Sequence, residues 1–293
     1  MKEYQYRDVN HRGRIERVTY ASTGYAGEPI KKYANVYLPK DYDTSEEETR
    51  YNVLYCMHGG GGNPDAWLDC CKIKNMLDYT IDNGEAKPLI VVFPTYYKSD
   101  RSTDPEKDGA AALPAEGEKT RIFQKELVDE LIPAVEGKYR TFAGGTDREA
   151  IRASRLHRAF TGFSMGGCTT WYAFIDSLDY ISTFLPLSGD CWVIEMMGGR
   201  TRTAETAAFL HDFAKNSGYA PSDYRIFAAT GRADIAFDAL TPQVEEMKKY
   251  PDTFIFDEDY SKGSFHYLLA EEHPHAYESV YEYLYNFLPY LLV

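Results

Sequence analysis

Short apolar runs alternate with longer amphipathic stretches along most of this 293-residue chain. Residues 33–38 (YANVYL), 51–57 (YNVLYCM), 89–93 (LIVVF), 159–163 (AFTGF), 183–187 (TFLPL), 225–229 (RIFAA) and 253–257 (TFIFD) predict β-strands. LIVVF and NVLYCM are apolar at consecutive positions, so both sides of those strands need covering. Between 121 and 136, Phe123, Leu127, Leu131 and Val135 recur every four residues. They draw one apolar stripe along a helix whose last turn Pro133 should kink or shorten. Helical patterns also fit 165–177, 240–250 and 276–291. This alternation predicts an α/β fold, a mostly parallel central sheet with helices on both faces. In such sheets ligands bind beyond the carboxyl ends of the strands, so the loops leaving those ends are where chemistry is expected.

The polar runs at 40–50 and 98–120 read as surface loops. No Gly/Ser-rich or Pro-rich linker and no fixed-period repeat interrupts the chain. It reads as a single domain over residues 1–293, with residues 1–30 an N-terminal strand or extension. A net charge of −13 without any Lys/Arg cluster argues against a nucleic-acid partner and fits a role in solubility. Five cysteines, two of them the neighbours Cys70 and Cys71, form no disulfide framework and leave the compartment open. The opening MKEYQYRDVNHRGRIERVTY lacks an apolar leader core, and no run of 18 apolar residues follows, so no membrane association is expected. The expected location is secreted or cell-surface, with any signal peptide absent from this sequence, and cytoplasmic as the alternative.

The segment Gly162-Phe163-Ser164-Met165-Gly166 follows a strand pattern and opens a helical one. A sharp strand-to-helix turn lifts a serine hydroxyl clear of the backbone, and glycines let the neighbouring chain pass. The structural alternative is a small polar residue in a tight turn. A serine hydroxyl needs a base to take its proton and a carboxylate to orient that base. In this kind of sheet the order along the chain is serine, acid, histidine, which sets aside His11, His58 and His157. His211 lies in a helical stretch, and His266 opens an apolar segment. His273 and His275 sit in a polar loop ahead of the last helix. His275, directly before that helix, is favoured over His273, and a metal site from Glu271, Glu272 and the two histidines is disfavoured. The acid falls to Asp234, after the 225–229 strand, or to Asp238 four residues later; Asp234 fits the cap of a turn equally well. The glycine-rich His58-Gly59-Gly60-Gly61-Gly62 turn fits an oxyanion hole made by the N–H groups of Gly60 and Met165, with His58 bracing the turn. It lacks the Gly-Lys-Ser/Thr of a nucleotide loop.

Taken together, HGGGGNPDAW, LIVVFP, HRAFTGFSMGGCTTW, FLPLSGDCW, ATGRAD and HPHAYESVYEYLYNFLP resemble carbohydrate esterase family 1, the feruloyl esterase and acetyl xylan esterase group within the α/β-hydrolase fold. The resemblance covers roughly residues 30–290. It implies Ser164 as nucleophile, Asp234 rather than Asp238 as acid, His275 as base, and Gly60 plus Met165 as the oxyanion hole. It departs from the family where glycines often precede the base and tryptophan stands two residues after it: here the stretch is Glu-Glu-His-Pro-His-Ala-Tyr. The implied function is hydrolysis of feruloyl esters on arabinoxylan. The alternatives are an acetyl xylan esterase or other short-acyl esterase, an acyltransferase on the same triad, or a silent carbohydrate-binding protein. No metal or organic cofactor is called for, because triad and oxyanion donors supply the proton transfer and charge stabilisation. The implied partner is an acylated plant polysaccharide, with fusion to other carbohydrate-active modules in prospect.

Trp192, in the loop after FLPLSG, and Tyr96, opening the long 95–120 stretch, are candidate walls of the substrate pocket. That stretch is too long for a mere connection and is a candidate partial lid. Trp67 and Trp171 are assigned to packing.

Overall fold

A computed structural model of the chain describes residues 1–25, 27–97 and 116–292. Its strands are β1 (Arg14–Thr23), β2 (Pro29–Leu38), β3 (Asn52–Met57), β4 (Leu89–Phe93), β5 (Arg158–Phe163), β6 (Thr183–Leu187), β7 (Arg225–Ala233) and β8 (Phe265–Pro274). They join one sheet in the order β1-β2-β4-β3-β5-β6-β7-β8. β1 and β2 form an antiparallel hairpin, and β2 meets β4 antiparallel. From β4 to β8 every pairing is parallel.

The helices are α1 (Ala66–Cys70), α2 (Ile73–Asp82), α3 (Glu116–Glu126), α4 (Ile132–Glu136), α5 (Arg148–Ala153), α6 (Met165–Asp176), α7 (Gly198–Thr201), α8 (Thr203–Asn216), α9 (Phe237–Met247) and α10 (Tyr277–Phe287). Because side chains alternate across a strand, each apolar run feeds two cores. Val53, Tyr55 and Met57 of β3 join Phe123, Trp171 and Leu240 of α3, α6 and α9 on one face. Leu54 and Cys56 join Trp67, Met76 and Val280 of α1, α2 and α10 on the other. Both faces of the sheet are therefore covered, as the apolar strands required, and the mostly parallel α/β architecture is as expected.

Several details differ from the sequence reading. The stripe through Leu127 and Leu131 is present, yet a wide π-type turn at Leu127–Leu131 separates α3 from α4. Pro133 cannot donate to the carbonyl of residue 129, and the wider turn accommodates that gap while Pro133 sits in the first turn of α4. Residues 116–120 belong to α3 instead of a loop. Residues 98–115, with most of the candidate lid, lie outside the described residues.

The 253–257 run is not a strand of the sheet. Phe254 and Thr253 turn inward, Ile255 is exposed, and a single bridge joins Phe256 to Phe265. The last strand is β8, whose pattern His266 obscures. That imidazole is buried against Phe227, its ring centroid 4.6 Å away, and its Nδ1 lies 2.8 Å from Asp257 O. Burial lowers its pKa, so the ring packs as a neutral aromatic. Among the described residues no helix is long and apolar enough to cross a membrane.

Candidate active site

The parallel strands deliver their following residues to one edge of the sheet. His58–Gly62 come after β3, Ser164 after β5, Asp190 and Trp192 after β6, Asp234 after β7 and His275 after β8. Ser164 is the N-cap of α6, with φ 58° and ψ −118°, a region costly for a residue bearing a Cβ. The strain is held by its neighbours. Its N–H donates to Leu187 O at 3.0 Å, and its carbonyl accepts from Cys168 N at 3.0 Å. The turn is so tight that a Cβ on Gly162 would lie 2.4 Å from the Gly166 carbonyl, so the two motif glycines are each other's clearance.

His275 is half-buried, its Nε2 2.8 Å from Ser164 Oγ and its Nδ1 2.6 Å from Asp234 Oδ1. An ionised carboxylate only accepts, so Nδ1 carries the proton and the Nε2 lone pair receives the serine hydroxyl. Asp234 is buried at the end of β7, where its Oδ1 also accepts from Ala236 N at 2.7 Å. Asp238 lies in the first turn of α9.

His275 reaches this position through an irregular strand end. The β7–β8 register runs from Gly231↔Ala270 to Ala233↔Pro274, so β8 carries extra residues at Glu271–His273. The bulged carbonyl of His273 presses on Gly231, where a Cβ would come within 1.8 Å of it. The same bulge sends the two neighbouring histidines to different partners. His273 Nε2 lies 2.9 Å from Glu282 Oε2, and Glu282 Oε1 accepts from Tyr4 N at 3.0 Å. Glu271 pairs with Arg232 at 2.8 Å. The remaining histidines are occupied elsewhere: His11 with Asp82, His157 with Asn52, and His211 with Thr253 while stacked on Tyr250.

The glycine turn faces the elbow. A Cβ on Gly59 would lie 3.4 Å from Ser164 Cβ, and one on Gly60 would lie 3.7 Å from Met165 Sδ. As the first residue of α6, Met165 has no intrahelical carbonyl for its N–H, and the helix dipole makes this end receptive to negative charge. His58 is wholly buried: Nδ1 donates to Gly59 O at 2.6 Å, and Nε2 accepts from the Thr95 hydroxyl at 2.7 Å.

Of the two candidate pocket walls, Tyr96 is a correction. It is buried, its hydroxyl 2.6 Å from Thr169 Oγ1 and its ring edge-on to Phe123, so it belongs to the core beneath the edge. The next residue, Tyr97, is the one at the turn, its hydroxyl accepting from Gly61 N at 3.1 Å. Trp192 is half-buried. Its indole N–H donates to Asp190 Oδ1 at 2.9 Å, and a Cβ on Gly117 would meet the ring at 3.6 Å. Asp190 is buried, its other oxygen accepts from Gly199 N, and desolvation raises its pKa. Trp67 and Trp171 are buried packing residues whose indoles also donate to Met57 O and Gly189 O, at the roots of two site loops. Sequence reasoning missed Asp190, Tyr97 and Tyr277; the place of Asp190 two residues before Trp192 was the one available signal.

The model of the Esterase family matches residues 29–250, well over half of the chain. Endo-1,4-beta-xylanase Y of Acetivibrio thermocellus is 39% identical over 95% of the chain, which spans 23% of that protein. The chain covers less than a quarter of the length of each of four curated relatives. A solved structure of a protein given as FAE superposes with a TM-score of 0.81 at 38% identity, covering 99% of this chain and 95% of that one. A serine-to-alanine variant of the feruloyl esterase module from Clostridium thermocellum, complexed with sinapinate, gives 0.79 at 37% identity with the same coverage. The chain belongs to the Esterase family, and within it groups with the feruloyl esterases.

Proposed function

We propose that this chain is a carboxylic ester hydrolase that removes feruloyl and related hydroxycinnamoyl groups from plant cell-wall polysaccharide. Ser164 serves as nucleophile, His275 as base, Asp234 as its orienting acid, and the N–H groups of Gly60 and Met165 as oxyanion donors. The observation that carries the reading is the continuous chain from Asp234 Oδ1 through the imidazole to Ser164 Oγ, with links of 2.6 and 2.8 Å.

His275 Nε2 takes the hydroxyl proton as Ser164 Oγ attacks the ester carbonyl, and the buried Asp234 carboxylate favours the imidazolium that forms. The tetrahedral oxyanion sits at the N-terminus of α6. The imidazolium returns its proton to the departing sugar hydroxyl, and water then releases the acid through the same groups. The acyl preference draws support from the sinapinate-bound relative, and Trp192 offers a ring fixed by Asp190 for an aromatic acyl group. The relation to xylanase Y supports a role beside other carbohydrate-active modules.

A hydrolysis panel of methyl ferulate, methyl p-coumarate, acetylated xylan and p-nitrophenyl acetate tests the substrate class. Methyl ferulate is expected to have the highest kcat/KM of the natural ester types, and preference for acetylated xylan would overturn the acyl assignment. Ser164→Ala should lower kcat roughly a millionfold without loss of fold. His275→Ala should approach that loss, whereas His273→Ala should stay near wild type; equal losses would reassign the base.

A further inference from the structure

The three glycines at the centre of the oxyanion turn are tied down from three directions. The carbonyl of Gly59 accepts from His58 Nδ1 at 2.6 Å and from Gly62 N at 3.1 Å. A trans peptide points its N–H opposite its carbonyl, so these bonds set the direction of the Gly60 N–H. On one side Gly61 N donates to the Tyr97 hydroxyl at 3.1 Å, and on the other Gly59 N donates to the Tyr277 hydroxyl at 3.1 Å.

Tyr277 differs from Tyr97 in what else it touches. It opens α10 only two residues after His275, so the short segment that presents the imidazole also presents this hydroxyl. Its ring stands edge-on to Trp67 at 5.2 Å, and the Trp67 indole donates to Met57 O at the root of the glycine turn. The ring also stands edge-on to Phe163 at 4.8 Å. Phe163 immediately precedes Ser164, and its own ring lies 4.6 Å from the His275 imidazole. One side chain therefore meets the segments that carry the nucleophile, the oxyanion donor and the base.

We propose that Tyr277 is a positioning residue for ester hydrolysis: its hydroxyl locks the oxyanion turn to the base loop, so that Gly60 N–H and His275 Nε2 keep a fixed separation around Ser164. This rests on the proposed roles of Ser164, His275 and Gly60. Gly59 is buried, so its N–H has no ready replacement from solvent when the hydroxyl is removed. Tyr277 touches no reacting atom in this scheme. It acts through the Gly59 peptide, and its removal should weaken transition-state stabilisation more than ground-state binding.

The test is steady-state hydrolysis of methyl ferulate by Tyr277→Phe, with Ser164→Ala as the control on the underlying reading. Tyr277→Phe keeps the ring contacts and deletes only the acceptor. Its kcat should fall roughly tenfold with KM within about twofold, short of the 10²–10³ expected for loss of an oxyanion donor itself. Inactivation by a p-nitrophenyl phosphonate, which needs the same oxyanion site, should slow in parallel, while thermal unfolding stays near wild type. Should Phe impair folding, kcat is referred to the active sites titrated by the phosphonate in the folded fraction, and the same loss per site is expected. Wild-type kcat in Tyr277→Phe, or a loss confined to KM, would overturn the proposal. Activity retained in Ser164→Ala would instead remove the site reading on which it rests, whatever Tyr277→Phe does.

Discussion

Two buried carboxylates with basic partners sit at opposite ends of the sheet, and they are finished differently. At the amino end, Arg158 at the start of β5 meets Glu136 at the end of α4, with Nε 2.5 Å from Oε1 and Nη2 2.8 Å from Oε2. The remaining bonds are filled. The guanidinium also donates to the Ile151 and Tyr180 carbonyls and Ser154 Oγ, and the carboxylate accepts from Tyr55 and Thr141. At the carboxyl end, Asp234 meets His275, but its buried Oδ2 has no hydrogen-bond partner among the described residues, and the nearby serine holds a strained backbone. The saturated pair is a fixture, since every atom of it has a reason to stay. The open pair leaves one carboxylate oxygen facing no donor among the described residues, which in the proposed reaction favours the imidazolium that forms on His275.

That contrast can be tested from both ends. The largest effect should come from Asp234→Asn, which preserves shape but removes the charge and the tautomer preference. A drop in kcat of roughly 10⁴-fold is expected with little change in unfolding midpoint. If activity persists, the carboxyl-end pair is structural after all. Arg158→Met should do the reverse, because it leaves Glu136 buried without its partner. A stability loss of about 3–5 kcal/mol in urea titration is expected, with kcat of the folded protein unaltered. A kcat loss at full folding would show that the amino end reaches the chemistry.

The smallest effect concerns His266, also near the amino end. Burial depresses its pKa, so between that value and the unfolded value of about 6.5 the unfolded chain binds the extra proton more readily than the folded one. Its contribution to stability is present above the unfolded value and is lost as pH falls through the folded value. Urea midpoints taken from pH 7.5 downward should decline in the wild type, and His266→Asn should show a shallower decline. An unchanged slope would mean that other groups carry it.

The elbow was legible in the sequence because its requirement is steric: two glycines must flank Ser164 where Gly162 and Gly166 nearly touch. Strands apolar on consecutive positions were equally plain, since two cores demand them. Reading failed where a polar group is buried with a partner far along the chain. His266 hides β8 because its ring packs as an apolar group only once Asp257 takes its N–H. Tyr96 and Tyr97 are adjacent and chemically alike, yet strand-exit geometry sends one hydroxyl to Thr169 and the other to Gly61. Asp190 is held in place by the Gly199 N–H, nine residues on, which local pattern does not connect to it. The paired glycines of the elbow show their need within five residues, whereas these partners need the finished fold.

The extra residues that β8 carries opposite Arg232 bear on how such a chain tolerates insertions and deletions. Residues 43–49, in the stretch between β2 and β3, can absorb a missing codon without altering any strand phase. Between Glu271 and His273 the same deletion draws His275 one place along the strand end and takes its imidazole away from Ser164.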